Sequence, residues 1–189
     1  MVKGWARTAR ALGLGLAVAA LAACASMPAP VGGGVMAQGP SAEEPNEFGA
    51  SPRVVDYAAN LQCVPFARDA SGIAIYGNAN TWWRQAAGRY ARSHTPAPGS
   101  VLVMRGYNNP GRGHVAVVRR IESSRVIFVD HANWLNGGEI SVGVPVLDVS
   151  PNNDWSEIRV WHIPGGHWGG RIYAGEGFIH PFTLHAAMS

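Results

Sequence analysis

The chain has 189 residues, of which 47% are hydrophobic, and this length and composition predict one globular domain of ordinary size. Its formal net charge is +3, but the first 23 residues hold three of the 15 basic residues and none of the 12 acidic ones. The remaining 12 basic residues therefore balance the 12 acidic residues. The positive charge of the whole chain therefore does not argue for nucleic-acid binding.

Residues 1–23 are typical of a secretory signal peptide. Three basic residues (Lys3, Arg7 and Arg10) precede an apolar run of thirteen, ALGLGLAVAALAA, which ends in small residues. A membrane span needs about 20 apolar residues, so a retained anchor helix is the weaker alternative. We expect this segment to direct export.

The end of the signal carries a lipidation motif. Leu21-Ala22-Ala23-Cys24 resembles the lipobox of bacterial lipoproteins. The resemblance implies that Cys24 becomes the lipidated first residue of the mature chain, whose lipid chains bind the membrane. Ala25, rather than an acidic residue, follows Cys24. By the same resemblance, the protein is expected in the periplasm, anchored to the outer membrane of a Gram-negative bacterium.

A flexible tether follows the predicted lipid anchor. Residues 24–51 are rich in Pro, Gly, Ala and Ser and poor in large apolar side chains, so they cannot bury a core. The folded domain is predicted over residues 52–189, which is enough chain for one hydrophobic core.

Helical patterns dominate the first half of this domain. Pro65 fits the first turn of a helix, and Gly72 fits its end. A second helix is predicted over residues 78–93, where Trp82, Ala86 and Tyr90 recur at helical spacing.

The second half is predicted to be strand-rich. Four β-branched runs lie at residues 101–105, 114–120, 125–131 and 157–163. Helices followed by antiparallel strands indicate an α+β domain, with N-terminal helices packed on an antiparallel sheet of about five to six strands. The Gly-rich stretch 164–189 has no predicted structure.

Cys63 is the main chemical candidate. The chain has two cysteines, and lipidation of Cys24 would leave Cys63 without a partner. An unpaired cysteine in an exported protein indicates a reactive thiol, an intermolecular disulfide or a buried inert side chain. Its place at the start of the first helix predicts a lowered thiol pKa.

A nucleophilic cysteine needs a base and a group that orients the base. His114 opens the strand at 114–120 and is the candidate base. The next strand ends in Asp130, His131 and Asn133, of which His131 and Asn133 share a face while Asp130 points away in a regular strand. All three remain candidates for the orienting group.

Several motifs together resemble the CHAP domain, the cysteine, histidine-dependent amidohydrolase/peptidase family. They are, in chain order, Gln62-Cys63-Val64-Pro65-Phe66-Ala67-Arg68, Gly77-Asn78-Ala79, Trp82-Trp83, Pro98-Gly99-Ser100-Val101-Leu102-Val103 and Gly113-His114-Val115-Ala116-Val117. The resemblance covers about residues 54–163. It implies a papain-like α+β fold and cleavage of amide bonds in peptidoglycan, either as an endopeptidase or as an N-acetylmuramoyl-L-alanine amidase.

The resemblance also implies residue roles. Cys63 matches the family nucleophile, His114 matches the base, and Gln62 stands beside the oxyanion hole. Many members have Glu-x-Asn where this chain has His131-Ala132-Asn133, so His131 replaces an acidic residue. We expect His131 to orient His114, with Asn133 in support and Asp130 as the rival.

Two other functional classes fit parts of the sequence. A catalytically degenerate CHAP module would bind peptidoglycan without cleaving it. A redox or adaptor lipoprotein would use Cys63 for intermolecular disulfides, although Gln62 and the Gly-His-Val strand would then have no role. We expect peptidoglycan and the membrane as partners, a monomer, and no nucleic acid.

The remaining histidines and tryptophans are weaker candidates. Four histidines (His162, His167, His180 and His185) lack the tight spacing and acidic neighbours of a zinc site, so neither a metal nor a cofactor is expected. At least one of Trp82 and Trp83 is expected in the core, and Trp134 fits either a cleft wall or the core.

Overall fold

The computed structural model describes residues 51–183. The predicted signal segment 1–23, the predicted lipidation site Cys24 and nearly all of the tether 24–51 lie outside the described residues, as does His185. No helix in the described part of the chain is long and apolar enough to cross a membrane.

Strands make up most of the regular structure in residues 51–183. They are β1 (Arg53–Asp56), β2 (Tyr90–Ser93), β3 (Val101–Arg105), β4 (Gly113–Ile121), β5 (Val126–Ala132), β6 (Ile140–Asp148), β7 (Glu157–His162), β8 (His167–Trp168) and β9 (Tyr173–Thr183). The two α-helices are α1 (Cys63–Ser71) and α2 (Trp82–Ala86), and short 3-10 turns occupy Ala79–Thr81 and Ile163–Gly165.

Six of the strands close into a barrel. The order β6-β5-β4-β3-β9-β7 returns to its start because β7 also pairs with β6, and every pairing in the ring is antiparallel. The other three strands lie outside the ring: β1 pairs with β6, β2 with β9 and β8 with β7. Closure leaves the six-stranded ring without a free edge.

The predicted fold class is therefore wrong. The expected α+β, papain-like packing of N-terminal helices on an antiparallel sheet is replaced by a mostly β structure, with 42% strand, 15% helix, a closed six-stranded barrel and two short helices. The four predicted strand runs do coincide with β3, β4, β5 and β7.

The second predicted helix, over residues 78–93, is the largest single error. Helix α2 ends at Ala86, and the chain turns at Gly88, whose φ of +70° suits glycine, before it enters β2. Trp82, Ala86 and Tyr90 are all buried in one cluster, so their spacing correctly marked a buried face. It did not show that the last of them lies on a strand.

The stretch without predicted structure, 164–189, contains the strand that closes the barrel. Strand β9 pairs with both β3 and β7. Glycine has a low preference for strands, so the sequence pattern did not predict β9. The same glycines permit close packing, since a Cβ on Gly175 would overlap the carbonyl oxygen of Trp155.

Alternate residues of the strands belong to two separate cores. Val101 and Val103 of β3 pack with the helices outside the barrel, whereas Leu102 and Met104 of the same strand pack inside it. The outer core contains buried residues from both helices, among them Ala67 and Trp82, and the inner core contains residues from all six barrel strands. Helix α1 is thereby fixed against β4 near the start of that strand.

Candidate active site

Cys63 is the first residue of α1. Gln62 occupies the N-cap position in extended conformation, without a capping hydrogen bond from its side chain. The helix ends as predicted at Gly72, whose backbone N–H donates to the Arg68 carbonyl at 2.9 Å. The Cys63 side chain is half-buried and packs against the outer core. The thiol is therefore held on a rigid element while it still borders open space.

Burial has the largest effect on the pKa of the Cys63 thiol. It raises the pKa of Cys63, while the backbone N–H groups of Val115, Val64 and Cys63 itself act in the lowering direction. The sequence-based expectation of a lowered thiol pKa is therefore not met, because burial outweighs the helix start. The Val115 contact nevertheless shows that Cys63 lies against the backbone of β4, next to His114.

His114 is paired with His131. Strands β4 and β5 bring His114 Nε2 within 3.0 Å of His131 Nδ1. Trp134 packs edge-on to the His114 ring at 4.9 Å between centroids and stacks on the His131 ring at 5.4 Å. A hydrogen bond and an aromatic contact thus fix both imidazoles.

Both histidines are held in the neutral form. Burial lowers the pKa of His131 to about 4, and the nearby Glu139 carboxylate opposes this effect. Burial, and then the neighbouring His131, lower the pKa of His114 well below its usual value. Near neutral pH both imidazoles therefore lack a charge.

The histidine pair determines which nitrogen of His114 can exchange a proton with substrate or thiol. Because Nε2 is engaged with His131, Nδ1 is the nitrogen that remains. For Nδ1 to accept a proton, Nε2 must carry hydrogen and donate it to His131 Nδ1. His131 then carries its own proton on Nε2, which is buried and has no hydrogen-bond partner among the described residues.

Asn133 contacts Gln62 instead of His114. Its side-chain N–H donates to Gln62 Oε1 at 2.8 Å, and its Oδ1 accepts the Gly138 N–H at 2.9 Å. Its backbone is left-handed, with φ of +59°. Since the Gln62 oxygen is used in this bond, the N–H groups of its amide remain available to the cleft.

Asp130 lies away from the histidine pair. Its carboxylate accepts the Gly143 N–H at 2.8 Å and pairs with Arg119 Nε at 2.9 Å. It therefore joins β5 to its neighbouring strands. Of the three candidates for the orienting group, only His131 is hydrogen-bonded to His114.

Glu139 is a residue that the sequence interpretation missed. The residue is 3% exposed, and its carboxylate accepts the backbone N–H groups of Leu135 at 2.7 Å and Gly137 at 3.0 Å. It fixes the turn between β5 and β6 that carries Asn133 and Trp134, and it raises the pKa of His131. An isolated acid directly after Gly137-Gly138 was the only signal in the sequence.

Cys63 and His114 border one cleft of about 1200 Å³, whereas the buried His131 and Glu139 lie behind its wall. Its lining includes Gln62, Cys63, His114, Asn133, Trp134, Arg112, Arg171 and Tyr173. Trp134 also packs against the inner core, so it belongs to both the cleft wall and the core. Trp82 is fully buried, and neither Trp82 nor Trp83 is among the described lining residues.

The three described C-terminal histidines, His162, His167 and His180, do not gather into a metal site. His162 and His167 face each other across β7 and β8, with ring centroids 5.4 Å apart at the cleft rim, whereas His180 bonds Ser93. Within residues 51–183 no three His, Cys, Asp or Glu side chains are placed to hold a metal ion.

Comparison with known protein families agrees with the motifs. Residues 53–133 match the family model of the CHAP domain, which supports a CHAP domain in this chain. A CHAP domain suggests hydrolase-type activity toward peptidoglycan. The match includes Cys63, His114 and His131 but ends before Glu139 and Arg171. No curated protein matches the chain.

Proposed function

We propose that this protein is a cysteine hydrolase that cleaves amide bonds in the peptides of peptidoglycan. The observation that carries the proposal is the placement of Cys63, at a helix start and against the β4 backbone, in the same cleft as His114, which is hydrogen-bonded to the buried His131. The CHAP domain match over residues 53–133 supports the substrate class.

The proposed reaction starts from a neutral thiol and a neutral imidazole. As Cys63 Sγ attacks the amide carbonyl carbon, its proton moves to His114 Nδ1. Negative charge then develops on the carbonyl oxygen, where the Cys63 backbone N–H and the Gln62 side-chain amide can donate hydrogen bonds.

Collapse of this tetrahedral species breaks the carbon–nitrogen bond. His114 returns its proton to the leaving amine, and the acyl group stays on Cys63 as a thioester. His114 Nδ1 next takes a proton from water, whose oxygen attacks the thioester carbonyl. The carbon–sulfur bond then breaks, the free acid leaves, and His114 returns the proton to Cys63 Sγ to regenerate the thiol.

His131 supports each proton transfer by accepting the hydrogen bond from His114 Nε2–H. This bond holds the imidazole in the tautomer that leaves Nδ1 unprotonated, as an acidic residue does in other catalytic triads. A neutral histidine stabilises the transient imidazolium less than a carboxylate would, and the Glu139 carboxylate partly offsets this difference.

One observation favours the rival interpretation, a CHAP module that binds peptidoglycan without cleaving it. The raised thiol pKa leaves Cys63 protonated, and the protonated thiol is a weaker nucleophile than the thiolate. The two functions differ in whether Cys63 is needed for release of fragments.

The test is digestion of isolated sacculi by the purified full chain carrying Cys24→Ser, so that Cys63 is its only cysteine. Under reducing conditions we expect soluble fragments from this protein and none from the same chain with Cys63→Ala. A matched His114→Gln variant should also be inactive. If none of the three releases fragments while all sediment with the sacculi, the binding module is correct.

Chemical analysis of the fragments identifies the bond. A free lactyl carboxyl group on the amino sugar indicates an amidase, and a cut stem or cross-bridge indicates an endopeptidase. Both products are compatible with the proposed cysteine mechanism.

We also propose that the protein acts from the periplasmic face of the outer membrane, tethered there by lipid on Cys24. The supports are the motif Leu21-Ala22-Ala23-Cys24 and the composition of residues 24–51. Metabolic labelling with a tagged fatty acid should mark the wild-type chain, and a Cys24→Ser chain should stay unlabelled. Labelling that persists in the variant would refute the anchor.

A further inference from the structure

The cleft has a wall built mainly by chain beyond the family match. We call Tyr107, Trp134 and Tyr173 the aromatic wall. Trp134 contacts Tyr173 at 5.1 Å between ring centroids, and Tyr173 contacts Tyr107 at 5.7 Å. The series starts at Trp134, which touches both site histidines. The wall thus leads from the site histidines to the turn between β3 and β4.

Two arginines stand at the far end of this wall. The Arg171 guanidinium lies over the Tyr107 ring, 5.1 Å from its centroid. Arg112 belongs to the same turn as Tyr107, and its carbonyl accepts the Gly106 N–H at 2.9 Å, which closes that turn. Arg112 is also only two residues before His114, so it is necessarily close to the site.

The cleft carries an excess of positive charge. Its lining includes three arginines and no aspartate or glutamate among the described residues. Arg105 is neutralised by Glu176 at 3.0 Å. Arg112 and Arg171 are exposed and form no ion pair within residues 51–183. Residues 51–183 hold 12 arginines and nine acidic residues, a net charge of +3, and Arg112 and Arg171 concentrate two of the positive charges in the cleft.

We propose that Arg112 and Arg171 bind a free carboxylate of the substrate, so that the preferred substrate is a peptide bearing a carboxylate close to the amide that is cut. This inference rests on the proposed function for the identity of the peptide. A guanidinium group matches a carboxylate with two parallel N–H donors. Contact with Tyr107 limits the freedom of Arg171 before binding, which lowers the entropy lost on complex formation.

Stacking on an aromatic ring does not by itself mark a binding arginine in this protein. Arg68 lies over Tyr76 and Arg92 over Trp83, and neither of these arginines lines the cleft. What distinguishes Arg171 is that it stacks on Tyr107 in the cleft that holds Cys63. Arg112 lies on the turn that carries Tyr107, and no acidic side chain is among the described lining residues.

Binding can be measured without turnover in the full chain carrying Cys24→Ser and Cys63→Ala. The ligands are a soluble cell-wall stem peptide with free carboxylates and the same peptide with those groups converted to carboxamides. By calorimetry, we expect the acid form to bind about tenfold more tightly than the amide form, the size of one charge-assisted hydrogen-bonding interaction.

The arginine variants locate the effect. Arg112→Gln and Arg171→Gln should each lower the affinity for the acid peptide about tenfold and leave the affinity for the amide peptide unchanged. Arg84→Gln, an exposed arginine on α2 outside the cleft lining, is the matched control and should change neither affinity. Because Arg112 and Arg171 are exposed, these replacements should leave the unfolding midpoint unaltered.

Three results would overturn the inference. They are equal affinity for the acid and amide peptides, equal losses in the Arg84→Gln control, and inorganic phosphate binding as tightly as the acid peptide. None of these outcomes bears on catalysis, because Cys63 is absent from the assay. Conversely, an intact carboxylate preference together with inactive wild-type protein on sacculi would retain this site and refute the proposed hydrolase.

Discussion

Three neighbouring side chains at this site are shifted toward their neutral forms by the same cause. Burial raises the pKa of Cys63 and lowers the pKa values of His114 and His131. The site therefore rests without the thiolate–imidazolium pair that the position of Cys63 at a helix start predicts. The nucleophile forms only as the proton passes to His114 during attack.

Alkylation of Cys63 should report this resting state directly. In the Cys24→Ser chain the rate of reaction with iodoacetamide should rise with pH with a midpoint above about 8.5, the value of a free thiol, since burial opposes thiolate formation. The same chain in concentrated urea should return to the free value. A folded-state midpoint below pH 7 would contradict the neutral pair.

Burial of His131 should also make the protein less stable in acid. Its pKa is about 4 in the folded chain and about 6.5 when unfolded, so between these values only the unfolded state binds the proton. The free energy of unfolding should therefore fall as the pH drops through this window, by at most about 3 kcal/mol from His131.

Urea unfolding at pH 7 and pH 4.5 measures this fall. It should be smaller in a His131→Gln variant, where no proton is taken up at that position. Because His131 also lowers the pKa of His114, the variant removes that contribution as well, and the difference between the two proteins reports the whole effect of His131. An identical fall in both would show that His131 does not resist protonation.

At the scale of elements, local patterns predicted the segments that are buried on one or both faces. Strand β3 is apolar on both faces because it separates the outer core from the inner core, and it was recognised as a strand. Strand β6 was missed because Gly143 and Pro145 interrupt its pattern, and β9 was missed because of its glycines. Strand β9 owes its conformation to pairing with the distant strand β3, whereas β6 is held by its sequence neighbours β5 and β7 and by the distant β1.

The start of β4 illustrates how tightly the elements position the site. A Cβ added to Gly113, the residue before His114, would lie 2.6 Å from the backbone nitrogen of Asn80. Gly113→Ala should therefore push the 3-10 turn away from β4, with a loss of about 1–3 kcal/mol in unfolding free energy and displacement of His114.

Chemical denaturation and the sacculus assay would measure both effects of Gly113→Ala. Gly170→Ala is the matched control for the stability measurement, because a Cβ there would meet no atom within 4 Å. If both variants unfold at the same denaturant concentration, the close approach of the 3-10 turn to Gly113 does not matter for stability.

At the scale of the whole molecule, closure of the six-stranded ring determines which part of the chain can fold independently. The family match ends at Asn133, after β5, whereas the barrel also needs β6, β7 and β9. A fragment comprising residues 53–133 would leave β3 and β5 as open edges and expose the inner core. We expect this fragment to show no cooperative urea transition and the full chain to show one. A cooperative transition in the fragment would contradict the need for closure.

The same long-range dependence limits what sequence can reveal about the site. The residues Cys63, His114 and His131 were predicted as candidates because each follows a local motif, and the His114–His131 contact follows from two adjacent antiparallel strands. Arg171 and Tyr173 reach the cleft only through the return of β9 to β3, and no local pattern contains that information.

Because β9 is the last strand of the described chain, it is also the last barrel strand to be synthesised. During synthesis the segment with Cys63 emerges early, and more than a hundred residues separate it from the last barrel strand. Pairings between such distant segments form slowly. Until β9 inserts between β3 and β7, the neighbours that suppress thiolate formation are incompletely assembled. The newly made chain is therefore most susceptible to oxidation at Cys63 before its last strand is in place.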